Sequence, residues 1–419
     1  MSYETCLWEL VAKVDDAVEP RQFKVGVNFW RRAADAPDPI RGQNILRAAA
    51  HNRELVMHHI RAKGPISRIE LAHLTGLTQP GVFKIAKDLL HENWLLTARI
   101  KDGSKGQPTS LLSVNPDAAF SIGVNVDRDH ITFVVLDFGG TVRDTIRHDI
   151  RYATPADVKR VFAACHTRLK GAGRNLVGIG LSMPEDFTQG QAADLDADWR
   201  RTAMEGLFAG STDLPVVREN DAAAAAIGEM TFGAGLEVNT FFYLYLSVGL
   251  GGGLVINRTY VRGSHGRSGE LGYLPQINPF RSTRTAMGQP VERVVSMTGL
   301  LDALREAGLA APTIDAVDLD DAKVQTVIDK WSREAADLLY LPILSTLCVI
   351  DPDAILIGGH VPGVVIERLA WEVNKRVSLN LGTHWQAKAV RPGRVTTNAA
   401  AVGAAIMAFR DLWHRDFLD

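Results

Sequence analysis

The chain has 419 residues, 46% hydrophobic and 22% charged, the proportions of a globular protein of two or three domains. Cys6, Cys165 and Cys348 are too far apart for a C-x-x-C zinc site and argue against a disulfide framework; no apolar run approaches the ~20 residues of a membrane span. The net charge of −2 conceals +6 within residues 41–110 against −8 elsewhere, so a basic module that suits nucleic acid is attached to an acidic body that does not. Chance clustering on a solvated face would give the same contrast.

Residues 1–40 place Cys6, Leu7, Leu10, Val11 and Val14 at helical spacing before Pro37 and Pro39 break the chain. A short helix and a linker are expected, with no function assigned. Glu4, Glu9, Asp15 and Asp16 interrupt the apolar stretch, against a signal peptide, and a cytoplasmic protein is expected.

Residues 41–115 read as three helices and a hairpin. The first helix spans about Gln43 to Arg61. The second opens on Ser67-Arg68-Ile69-Glu70, a capping box, and closes at Gly76. Thr78 caps the third, from Gln79 to about His91, with Pro80 in its first turn where no N–H is needed. Helix, short glycine turn and helix make a helix-turn-helix. Two strands, near 94–97 and 109–114, flank a basic wing at 102–106. The expected small core is Ile69, Leu71, Leu74, Leu77, Val82, Ile85, Leu89 and Leu90.

Residues 116–419 alternate strands (120–126, 131–136, 176–181, 241–246, 253–256, 354–357) with helices (155–169, 222–230, 324–346, 399–413), which implies α/β layers. Strand-rich beginnings near 120 and 241 suggest two similar lobes.

In a helix-turn-helix the second helix reads the major groove with its first turns. Gln79 is suited to two-point pairing with adenine; Ser67, Arg68, Thr78, Lys84 and the wing's Lys105 are suited to phosphates. Phe83 is expected to touch a thymine methyl or pack on the wing. In the body, Asn220 and Asp221 stand between a strand and a helix, where they could grip sugar hydroxyls; Asp221 reads equally well as a helix cap. The glycines of Ser247–Gly253 read either as an anion cradle or as a tight hairpin.

Several stretches resemble the ROK family (repressors, uncharacterised reading frames and sugar kinases). They are residues 215–222 (PVVRENDA), 249–253 (GLGGG), 268–272 (SGELG), 351–359 (DPDAILIGG) and 403–405 (GAA), preceded by 64–72 (GPISRIELA) and 75–78 (TGLT) like the winged helix of the family's repressor branch. The resemblance covers about residues 41–410. It implies a winged helix-turn-helix at 41–115 followed by a two-lobed actin/hexokinase-like α/β domain at 116–419 with a sugar in the cleft. It adds Glu270, Tyr273 and Glu292 to Asn220 and Asp221 as ligand contacts.

The departures from the family pattern point to its branch. Kinases of the family carry Asp-x-Gly-Gly-Thr after the first strand, where this chain has Asn125-Val126-Asp127-Arg128-Asp129, and Gly-Thr-Gly where it has Ser247-Val248-Gly249. Both loops cradle ATP phosphates, and positioning supplies nearly all of phosphoryl-transfer catalysis. Tyr273 stands where the family's zinc histidine would be, and no cysteine lies between Pro279 and Pro290. Glu185 follows Pro184 where glycine is usual.

The expected protein is a DNA-binding transcriptional regulator, a repressor by the family's common mode. It is a homodimer or dimer of dimers that binds operator DNA and a sugar or sugar-derivative effector, with no catalytic residue, metal or cofactor. An active sugar kinase with a DNA-binding head, and a regulator governed by a protein partner with no small-molecule ligand, are the rival readings.

Overall fold

The protein's structure is a computed structural model, and it describes residues 45–100, 109–172, 175–185, 193–202, 206–280, 288–381, 390–395 and 398–415. The expected helix and linker at 1–40, the wing tip with Lys105, and residues 281–287 of the cysteine-free stretch lie outside the described residues. Residues 44–419 cluster as one compact unit.

The chain opens with α1 (Ile45–Lys63), β1 (Ile66–Ser67), α2 (Arg68–Thr75), α3 (Gln79–His91), β2 (Leu95–Ile100) and β3 (Thr109–Val114). The three strands form one antiparallel sheet in the order β1-β3-β2. The local signals act as read. Ser67 and Glu70 form the reciprocal capping box, Gly76 ends α2 in the left-handed region at φ 67°, and the Thr78 hydroxyl accepts from the Gly81 N–H.

The expected core needs correction. Leu71, Val82 and Leu89 are buried, but Ile69 is 70% and Leu74 38% exposed. Their places are taken by Val56, Met57 and Ile60 from α1 and by Leu95 and Leu112 from the hairpin. The capping box points the first turn of α2 at solvent, which strands Ile69 outside.

The body repeats one plan twice. Its first lobe runs β4 (Phe120–Val126), β5 (Ile131–Asp137), β6 (Val142–His148), α4 (Pro155–Ala172), β7 (Leu176–Met183), α5 (Ala193–Arg201) and β8 (Val216–Asn220). The helix α6 (Asp221–Phe232) follows. The second lobe runs β9 (Phe241–Leu246), β10 (Leu250–Ile256), β11 (Thr259–Val261), α7 (Met297–Glu306), α8 (Ala322–Ile350), β12 (Ala354–Gly359), α9 (Gly363–Leu381) and β13 (Val390–Pro392), before α10 (Ala399–Arg415). The sheet orders are β6-β5-β4-β7-β8 and β11-β10-β9-β12-β13. In each, three antiparallel strands are joined on the far side of the first by two parallel ones. Both β4 and β9 are buried throughout and, Asn125 apart, are apolar or small along their length, as suits central strands covered on two faces.

The strand expected at 253–256 begins at Leu250, so most of the glycine run is strand and not cradle. The reason is packing. A Cβ on Gly251 would stand 2.7 Å from the Ala222 Cβ, and one on Gly253 2.5 Å from the Ala226 Cβ. The run lets β10 lie directly on α6 and leaves only Ser247–Gly249 as a turn, closed by the Ser247 N–H donating to the Gly249 carbonyl at 2.9 Å.

Candidate functional site

On the head, Thr78, Gln79, Pro80, Phe83, Lys84 and Lys87 are exposed along the first two turns of α3. Arg68 lies with its guanidinium carbon 5.5 Å from the centre of the Phe83 ring. Phe83 is thus partly covered by Arg68 while 57% exposed. The Ser67 hydroxyl is engaged with Glu70, donating to its Oε2 at 2.8 Å.

In the body, β8 and α6 meet at Asn220-Asp221, and the cap is Asn220. Its Oδ1 accepts from the N–H groups of Ala222 and Ala223 at 2.9 and 3.1 Å. The reading of Asp221 as the helix cap is therefore overturned. Asp221 is the first helical residue, only 7% exposed, with Oδ1 accepting from the Ala222 N–H at 2.8 Å. A helix N-terminus favours a carboxylate, yet burial and the neighbouring Asp127 raise the Asp221 pKa to about 7, against the pull of Arg128. Desolvation wins because one hydrogen bond and a partial charge do not replace the water lost.

Other carboxylates gather here. Burial raises Glu270, assisted by Glu185 and Glu292 and opposed by Arg267 and Arg128. Burial also raises Glu219, which stands 3.6 Å from Arg262. Glu292 Oε2 accepts from the Leu250 N–H at 3.4 Å. A Cβ on Gly249 would lie 2.7 Å from that oxygen and 3.4 Å from Arg128 Nη1, so side chains from both lobes converge at this turn. Asp221, Glu270 and Glu292 are thus brought together around Arg128. Asn220 uses its oxygen as a cap. Tyr273 ends a one-turn helix begun at Leu271 and is 59% exposed.

Sequence reasoning did not single out Glu219, or Arg128 as the shared counter-charge; their signal was adjacency to motifs already noticed. A buried carboxyl whose pKa is raised can both donate to and accept from hydroxyl groups, which suits a polyhydroxylated neutral molecule.

Next to this cluster the cleft is closed. The Ser247 hydroxyl of the second lobe donates to Asp127 Oδ2 of the first, and Asp127 Oδ1 accepts from the Arg128 N–H at 2.7 Å. Arg147 Nη1 on β6 donates to Nε2 of His360, just beyond β12, at 2.9 Å. The His130 and His360 rings lie 5.2 Å apart, and Asp129 Oδ1 meets His130 Nδ1 at 2.6 Å. Asp127, Asp129 and His130 are the one group of metal-ligand type among the described residues; Asp127 is occupied by Ser247, and Asp129 by His130. A cavity lined by Asn125, His130, Thr132, Tyr245, Gly359 and His360 has room for about a single water molecule. Asn125 does not line a loop at all, since its Oδ1 accepts from the Ser182 hydroxyl at 3.0 Å inside the first sheet.

The model of the ROK family matches residues 121–411. A xylose repressor of Bacillus spizizenii is 27% identical over 366 residues, 84% of this chain and 93% of the repressor. The structure of a ROK family transcriptional regulator, a homologue of the E. coli MLC protein, superposes with a TM-score of 0.62 at 22% identity, over 88% of this chain and 98% of that one. A ROK family glucokinase from Streptomyces griseus, solved with glucose and AMPPNP, superposes with a TM-score of 0.55 at 23% identity, over 70% of this chain and 99% of the kinase. The repressor and the regulator cover a larger share of this chain than the glucokinase does. No helix among the described residues is long and apolar enough to cross a membrane. With its two-lobed α/β body and the match over residues 121–411, the chain belongs to the ROK family.

Proposed function

We propose that this protein is a DNA-binding transcriptional regulator that senses a neutral sugar through a kinase-like body with no phosphoryl-transfer activity. The observation that carries it is the Asp127–Ser247 contact. The two turns that cradle phosphates in the family's kinases are here hydrogen-bonded to each other, with a carboxylate between them and space for little more than water beside them. A negative charge at that point repels a phosphoryl group instead of stabilising it. The hydroxyl-binding end keeps its carboxyls, and the head keeps an exposed helix with Gln79 and Lys84 at its start.

The xylose repressors among the relatives make D-xylose the first effector to test, with Asn220, Asp221, Glu270, Tyr273 and Glu292 as its contacts. Ser67, Arg68, Thr78, Gln79, Lys84 and Lys105 are the proposed DNA contacts, in a homodimer that reads a two-fold symmetric operator.

Two measurements decide the reading. Operator fragments recovered by selection from random DNA should be bound with steep salt dependence by the full chain and not by a chain lacking residues 1–115. Calorimetry should detect D-xylose but not its 5-phosphate, and a coupled assay with ATP should show no phosphorylation of xylose or glucose. Turnover in that assay would establish the kinase reading instead. Gln79→Ala should lose about 1–3 kcal/mol on the selected site and little on random DNA.

A further inference from the structure

Helix α6 has its two ends in the two places that matter to a regulator. Asp221 opens it in the acidic cleft. Eleven residues later, about 17 Å along the axis, Phe232 closes it beneath the DNA-reading head. There Arg61 of α1 places its guanidinium carbon 5.3 Å from the Phe232 ring centre and 4.8 Å from that of Phe138. Strand β10 runs the same course. Its start, the Leu250 N–H, meets Glu292 in the cleft. Its end is the turn Asn257-Arg258, with φ 49° and 61°. Arg258 Nη2 then donates to His58 Nδ1 of α1 at 2.9 Å and to the Met230 carbonyl of α6 at 3.3 Å. Arg258 Nη1 donates to the Gly235 and Val238 carbonyls, both at 3.3 Å.

We propose that α6 and β10 move as one rigid body that carries the state of the acidic cleft to the head, with Arg61 and Arg258 as the residues that couple it; this rests on the regulator reading above. The rigidity follows from small residues on both sides of the helix. The Ala222 and Ala226 methyl groups fill the places where Gly251 and Gly253 have no Cβ, and on the opposite side a Cβ on Gly403 of α10 would stand 1.7 Å from the Ala224 carbonyl oxygen. Residues 221–230 are buried. Between Ala222 and Ala226 the helix has only methyl side chains against β10, and close-packed elements pass displacement on instead of damping it.

At the output end Arg61 Nε is buried without a hydrogen-bond partner and the guanidinium lies against the Phe138 and Phe232 rings, while Arg258 is fixed by its four hydrogen bonds. His58 stays neutral, its pKa lowered to about 3 by burial and by Arg258, and so keeps a lone pair for the Arg258 donor.

The test uses the full chain, D-xylose as probe and a selected operator fragment. Arg258→Met and Arg61→Met should each bind the operator and xylose within about 3-fold of wild type, while the xylose-induced change in operator affinity, ordinarily about 5–150-fold for a coupled pair of sites, collapses toward one. Folded variants that keep the full wild-type change would overturn the relay. Arg258→Lys, which keeps the charge but not the forked reach, replaces Arg258→Met if the latter fails to fold. If wild type itself ignores xylose, the regulator reading loses its ligand, and the relay is judged without one by amide hydrogen exchange at residues 56–61. Asp221→Asn should change that exchange by at least about 3-fold, and Arg258→Met should suppress the change; identical exchange in wild type and Asp221→Asn sinks the proposal.

Discussion

At the Asp221 end of the interlobe cleft, carboxyls crowd together with too few partners, and burial lifts Asp221, Glu219 and Glu270 toward neutrality. Beside it, around Asp127, the polar groups are matched across the lobes: Asp127 with Ser247, Arg147 with His360. Both regions are built from the same kind of element, a turn or loop at a strand end, on sheets of identical strand order. The difference lies in whether partner groups are supplied. A buried charge with a partner locks two pieces of protein together; a buried acid with few partners holds its proton to higher pH. One scaffold thus holds a matched polar contact and a cluster of buried acids side by side.

Breaking the matched contact should have the larger effect on stability. Ser247→Val removes one of the two donors to the buried Asp127 side chain, leaving the Arg128 N–H, and should cost about 1–3 kcal/mol in urea unfolding. Ser247→Val together with Asp127→Asn should recover part of that loss. A double variant as unstable as the sum of the single ones means that the two side chains do not interact in solution.

Breaking the acid cluster should act on binding instead. Asp221→Asn is nearly isosteric, and the Asn220 cap is untouched. It should weaken sugar binding by about 1–3 kcal/mol while leaving the fold intact. Equal calorimetric affinities for wild type and variant would place the ligand elsewhere.

The pH response sharpens the same contrast. Asp221 keeps its proton to about pH 7 when folded and loses it near 3.8 when unfolded. Its contribution to stability therefore falls as pH rises from about 4 to about 7. His58 works in the opposite direction: with a folded pKa of about 3, it costs stability as pH falls below its unfolded value near 6.5. Unfolding curves across pH 4–8 should lose the first slope in Asp221→Asn and the second in His58→Gln, each leaving the other intact.

The smallest effect is expected at Thr132. Its hydroxyl is buried with no partner in the closed half of the cleft, so Thr132→Val should change stability by no more than about 0.5 kcal/mol, or raise it slightly. A loss above about 1 kcal/mol would show that the hydroxyl is bonded in solution and that the cavity takes part in the matched contact.

Much of the head was legible because its signals are local. Ser67, Glu70, Gly76 and Thr78 do what their spacing implies, since caps are decided within one turn of helix. The head core was less legible. Ile69 and Leu74 are apolar and lie outside, because α1 and the hairpin fill the centre first, and periodicity within α2 carries no information about them. In the body, the central strands at 120–126 and 241–246 were visible as short apolar runs. Strand β13 was not, being three residues recruited by pairing with β12, and neither was α9, whose amphipathic pattern was not picked out of the sequence.

Amino-acid type and local order by themselves determined that the chain has a basic reading head and an acidic two-lobed body, that Asn220 and Asp221 stand at a strand-to-helix junction, and that the phosphate loops of its kinase relatives are replaced. Only the tertiary structure decided what the replacements do. Asp127 and Ser247 are 120 residues apart, and His360 and Arg147 213 residues apart, so no spacing rule links them; the two lobes bring them into contact. The same holds for the glycines at 251 and 253. In sequence they read as a loop, and in the fold they are the smooth side of a strand, because whether a missing Cβ serves a turn or a neighbouring helix depends on what packs against it.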